Sequence, residues 1–195
     1  MRSQGVLGRS MLLISSGMTG LCDTEAQARV VHIPGICMQV TVPNDRRVCA
    51  DSSLAFHYIH GVYFDVGRDQ RCRDDSPTIN RIGLWQETNT GDETLNDYAK
   101  INCEGAKATS IARRGARVAG LRSFSCAYPQ KPYGTRLNVV GYAGNFTGRR
   151  GYPAIFYRAW MITQRSRLQQ DMPKFEAFVR SARIDDRSCF AKLLR

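Results

Sequence analysis

From residue 105 to residue 170 the chain has no acidic side chain. It is also poor in lysine, with 5 against 23 arginines, and holds only 3 histidines. No serine sits in G-x-S-x-G, so there is no nucleophile elbow. There is no G-x-G-x-x-G and no P-loop, which removes the two usual sequence signs of a phosphate cradle. No two cysteines form C-x-x-C, which disfavours a zinc ribbon and a thioredoxin-like redox pair. No apolar run approaches the ~20 residues that a membrane-spanning helix needs. Repeats and low-complexity segments are absent. What remains is a chain of 195 residues with 43% apolar and 23% charged side chains and a net charge of +11. That balance fits one globular domain and excludes a disordered or collagen-like chain.

The first residues have the order of an export signal. Arg2 and Arg9 precede the mostly apolar or small stretch 11–21, and Ala26-Gln27-Ala28 follows as a small-x-small cleavage site. This predicts a signal peptide over 1–28 and a mature domain over 29–195, in the periplasm or outside the cell. Cleavage after Ala28 removes Cys22 and leaves six cysteines: Cys37, Cys49, Cys72, Cys103, Cys126 and Cys189. An even count suits disulfides in an oxidising compartment. Fifteen pairings are open to six cysteines, and spacing does not choose among them.

Apolar–polar alternation predicts strands over 35–42, 54–66, 81–87, one or two within 107–128, 136–143 and 153–163. Gly61 marks a bulge in the second, or the meeting of two strands. Thr90 and Glu93 have capping-box spacing ahead of a helical stripe of Leu95, Tyr98, Ala99 and Cys103. Asp171 is placed to cap a second helix with Phe175, Phe178, Val179 and Ala182 on one face. Together these predict an α+β domain, with an antiparallel sheet of about six strands and two main helices packed on it.

The C-terminal order is a turn at Gly115-Ala116, three strands, then a helix ending Phe175–Ile184. With Phe175, Phe178, Ser181 and Arg183 at its characteristic places, it resembles the PsbP-like/DcrB-like family. Cys37–Asp45 is similar to that family's strand-plus-proline opening. The resemblance runs over roughly 35–184 and extends to exported immunity proteins against type VI lipase toxins. It implies a binding, assembly-assisting or partner-neutralising module without catalysis.

His57 and His60 invite a metal reading, but i and i+3 point to opposite faces of a regular strand. Asp65, Asp69, Asp74 and Asp75 alternate with Arg68, Arg71 and Arg73, so that loop reads as neutralising itself. The sequence therefore implies no metal, cofactor or catalytic residue. Cys126 reads as a disulfide partner rather than a nucleophile. The acid-free stretch carries twelve bases, among them Arg117, and Arg113-Arg114 and Arg149-Arg150 sit beside glycines at expected strand ends. Gathered on one rim, these arginines form a basic patch, with Tyr152 as an aromatic anchor. Such a patch suits phosphate, carboxylate or acidic protein surfaces. Export and the lack of interleaved aromatics make nucleic acid the less suitable partner. The expected function is therefore an exported, non-catalytic binding protein for a protein or anionic envelope partner, of inhibitor or immunity type. The alternatives are a small secreted hydrolase using His57 or His60 as base, and a structural envelope protein.

Overall fold

The structure is a computed structural model. It describes residues 27–33, 36–51, 59–66, 72, 80–89, 93–103, 107–108, 117–130, 134–145 and 154–185. Ten strands and two α-helices are described: β1 (Ala28–Ile33), β2 (Met38–Pro43), β3 (Cys49–Asp51), β4 (Ile59–Asp65), β5 (Arg81–Asn89), α1 (Leu95–Cys103), β6 (Lys107–Ala108), β7 (Ser123–Gln130), β8 (Gly134–Asn145), β9 (Ala154–Thr163), α2 (Leu168–Ser181) and β10 (Arg183–Ile184). The fold is α+β and every strand pair is antiparallel. The strands divide into two sheets, a large one in the order β3-β4-β5-β9-β8-β7-β6 and a small one in the order β1-β2-β10.

The large sheet takes its centre from β9, where alternate residues serve opposite faces. Tyr157, Ala159 and Met161 join Ile82, Leu84, Leu137 and Val139 in the main core. Met38, Val40 and Val42 of β2 and Phe175, Phe178 and Val179 of α2 close that core from above. The Tyr157 hydroxyl donates to the Ile36 carbonyl at 3.1 Å, satisfying a polar group in the middle of it. On the opposite face, Leu95 and Tyr98 of α1 pack on Val140 and Phe156, with the Tyr98 and Phe156 rings stacked at 4.0 Å.

Several local expectations are revised. Gly61 is not at a bulge: β4 runs regularly through it, opposite Trp85. A Cβ there would lie 2.1 Å from the Leu84 carbonyl oxygen, so the glycine answers to a close approach of strands. The N-terminal box of α1 is Thr94 and Asp97 rather than Thr90 and Glu93. The Asp97 N–H donates to Thr94 Oγ1, and the Thr94 N–H donates to Asp97 Oδ2, both at 3.2 Å. The Thr94 hydroxyl also donates to Asp97 Oδ2, at 2.6 Å, and together with the Thr94 N–H it holds the Asp97 carboxyl below its usual range. Asp171 does not cap α2, which begins three residues earlier. Instead its fully buried carboxylate accepts from Thr163 Oγ1 at 2.7 Å, with Lys174 Nζ at 3.3 Å and Arg167 Nε at 3.4 Å.

That cluster fixes the start of α2 to the end of β9. Burial pushes the Asp171 carboxyl up, but the bonds from Thr163, Arg167 and Lys174 outweigh it and hold the group below its ordinary value. The folded state therefore keeps this charge better than the unfolded chain does. Its stabilisation is full above the ordinary aspartate range near pH ~4 and is lost as pH falls below it. Asp171→Asn should cost about 1.5–3 kcal/mol at pH 7, the range for hydrogen bonds to a charged group. The gap from wild type should narrow in denaturation curves taken below pH ~4. A gap that stays constant to pH ~2 contradicts the assignment.

Two disulfides are described, Cys49–Cys72 and Cys103–Cys126, each closing a separation of 23 residues. Cys37 is disulfide-bonded as well, whereas Cys189 lies outside the described residues. The Asp185 N–H donates to the Cys37 carbonyl at 2.9 Å. If Cys22 leaves with the expected leader, peptide mapping under non-reducing conditions should recover a Cys37–Cys189 link. Thiol titration after unfolding should find no free thiol, and several free thiols would contradict the export reading.

Candidate functional site: an arginine surface beside the end of helix α2

Only part of the expected basic patch falls within the described residues. Arg113, Arg114, Arg149, Arg150 and Tyr152 lie outside them. Arg117 is exposed and extended, at φ −124° and ψ 137°, just ahead of a 3-10 turn at Val118–Gly120. Val118 anchors that turn in the main core, and the Leu121 N–H closes it on the Val118 carbonyl at 2.9 Å. Ala119 and Gly120 are both left-handed, at φ +51° and +74°. This reversal brings Arg117 to the C-terminal end of α2.

There it meets two arginines absent from the expected patch. Arg117, Arg180 and Arg183, with Ala119 and Gly120, line a shallow depression of about 430 Å³. Arg183 donates to the Arg180 and Ala182 carbonyls, which satisfies acceptors left open where α2 ends. Its guanidinium is thereby tethered at low further cost in side-chain entropy. The exposed Arg180 lies 3.9 Å from the half-buried Glu176, a pair of small energetic value. All three charged residues lining the depression are cationic, and they come from three separate elements. The sequence signal for Arg180 and Arg183 was weak because both lie beyond Asp171, where the acid-free stretch ends.

Other members of that stretch turn inward. Arg158 is buried on β9, 2.8 Å from Glu87 and bonded to the Tyr98 hydroxyl. Burial pushes the Glu87 carboxyl above its usual range even against that guanidinium. The Arg136 guanidinium lies 5.1 Å from the Trp85 ring centre and 5.5 Å from that of Trp160, within cation–π range. Gly83 makes this stack possible, because a Cβ there would lie 2.6 Å from Trp160 ring atoms. Arg167 serves Asp171. These three arginines hold the protein together, so the basic patch is smaller than the run of bases suggests.

The remaining candidates are dispersed. Cys126 is committed to its disulfide with Cys103. Asp65 pairs with Arg81 at 2.7 Å, while Asp69, Asp74 and Asp75 lie outside the described residues. His57 does too, and His60 stands on β4 opposite Gln86. His32 Nδ1 is 2.8 Å from Asp185 Oδ2. Among the described residues no helix is long and apolar enough to cross a membrane.

No family model and no curated protein matches the chain. Its fold is similar to the solution structure of cyanobacterial PsbP (CyanoP) from Synechocystis sp. PCC 6803. Identity is 15%, the match covers 88% of this chain and 98% of that one, and the TM-score is 0.46.

Proposed function

We propose that the protein is an exported, disulfide-bonded binding module that holds an anionic partner on its arginine surface. In this reading the partner is a protein or an envelope component, and the module acts by covering it, as an inhibitor or immunity protein would. The observation that carries the proposal is the convergence of Arg117, Arg180 and Arg183 on one depression with no acid among the described residues of its lining. Guanidinium forks match carboxylate and phosphate groups, and arginine is enriched among residues that dominate binding energy. The described disulfides support export, since they persist in oxidising compartments. This reading takes residues 1–28 as a leader removed on export.

A basic surface steers anionic partners, and salt screens the attraction. The immobilised, exported protein should therefore capture a partner from envelope extract at low ionic strength and release most of it at ~0.5 M salt. No capture at low salt, or capture indifferent to salt, would count against the proposal.

A further inference from the structure

A second cavity lies on a different side of α2. It has a volume of about 490 Å³ and opens between β2, α2 and the end of the β4–β5 strand pair. Phe64, Val66 and Ile82 form one wall, and Ala177 and Phe178 the other. Phe64 and Phe178 meet edge to face at 5.5 Å. Between the walls the Thr41 N–H and the Ser181 hydroxyl are already engaged. The Thr41 N–H donates to Ser181 Oγ at 2.9 Å, and Ser181 Oγ donates to the Phe178 carbonyl at 2.7 Å. The interior therefore presents apolar surface rather than hydrogen-bonding groups. Small-molecule sites are typically ~300–1,000 Å³ and mostly apolar, with a few polar groups placed to orient the ligand.

The charged residues of this lining are Arg46, Lys174 and Asp45. Arg46 Nη2 lies 3.4 Å from Asp45, which accounts for the one carboxylate. Lys174 shares the buried Asp171 with Arg167, so two cations meet one anion there. Arg29 adds a further cation, donating through Nη2 to the Arg46 carbonyl at 3.0 Å. The balance of these groups is positive.

An apolar slot with a cationic surround complements a single class of ligand. We infer that this cleft binds an anionic amphiphile with one acyl chain, its chain between Phe64, Ile82 and Phe178 and its head group by Lys174 and Arg46. The site is separate from the arginine surface, so failure of either leaves the other standing. A free fatty acid supplies this chemistry outright, and a two-chain anionic phospholipid supplies it if one of its chains leaves the bilayer for the cleft; the experiment distinguishes them.

The probes are decanoate, decanol and decyltrimethylammonium, each titrated calorimetrically below its own micelle-forming concentration into the full chain, which keeps Ala28 in the cleft lining. Phosphatidylglycerol vesicles are tested in parallel by sedimentation. Decanoate should saturate one site, bind several-fold more tightly than decanol, and bind most tightly relative to the cationic probe. Ala177→Phe, at an exposed position lining the cleft, should weaken decanoate about tenfold with the melting temperature unchanged. Lys174→Glu should abolish the preference for the anion. Vesicle binding lost in Ala177→Phe would assign the ligand to the membrane, and decanoate binding without vesicle binding to the free acid. No saturable decanoate binding, equal affinity for all three probes, or an affinity indifferent to both substitutions would overturn the inference.

Discussion

Phe175→Ala should destabilise the protein by about 3–5 kcal/mol, the range for emptying a buried phenylalanine site. Phe175 is fully buried and lies in the main core with Met38, Val40, Phe178 and Val179. The cost has two parts: the lost transfer energy of the ring, and the cavity left behind. The surroundings are poorly placed to collapse into that cavity. Hydrogen-bonded sheets lie on both sides of the site, and α2 is held at its start by Asp171 and at its end by β10. Typical domains are stable by only 5–15 kcal/mol, so the loss is a large fraction of the total. Because α2 carries Arg180 and leads into Arg183, its loosening also disperses the arginine surface. Urea denaturation measures the change, and a loss under about 1 kcal/mol would show that α2 is not seated as described.

Replacing Cys103 and Cys126 together by alanine should cost about 3 kcal/mol, the chain-entropy value for a loop of this size. The bond ties the end of α1 to β7, opposite Asn138 of β8. Without it α1 depends on Leu95, Tyr98 and their contacts with Phe124, Val140 and Phe156. Nine residues make a short helix with little stability of its own. Amide exchange in α1 should therefore rise more than in α2, alongside a lower denaturation midpoint. An unchanged midpoint with α1 still protected would contradict this role.

The elements legible in the sequence were those whose side-chain period is uninterrupted. β9 alternates along its whole length, and the stripe from Phe175 to Ala182 has helical spacing that few other structures could use. Features set by a distant strand were not legible. Gly61 looked like a bulge because the Leu84 carbonyl that requires it is 23 positions away in the chain. Asp171 looked like a cap because its true partner, Thr163, belongs to the preceding strand. β1 was missed because Arg29–Ile33 follows the expected cleavage site at once, and its pairing with β2 only becomes visible in register. The cysteine pairing depends on the strand order and could not be read from spacing.

The basic patch shows the same limit. Composition counts charges without regard to facing. Arg136, Arg158 and Arg167 sit where period and topology turn them onto Trp85, Glu87 and Asp171. Arg180 and Arg183 lie outside the acid-free run, yet the turn at Ala119–Gly120 places Arg117 beside them. A search by strand and helix face, rather than by local charge density, would have separated the structural arginines from the surface ones.

The arginine surface is tested most directly by reversing the charge of Arg117 and Arg180, which are both exposed. The measurement is the affinity of Arg117→Glu/Arg180→Glu for the captured partner, as a function of salt. The account predicts a loss of at least about a hundredfold at low salt, or ~2.8 kcal/mol, with an unchanged melting temperature. It also predicts a nearly flat salt dependence in place of the steep one of wild type. Wild-type affinity with wild-type salt dependence in the double variant would contradict it.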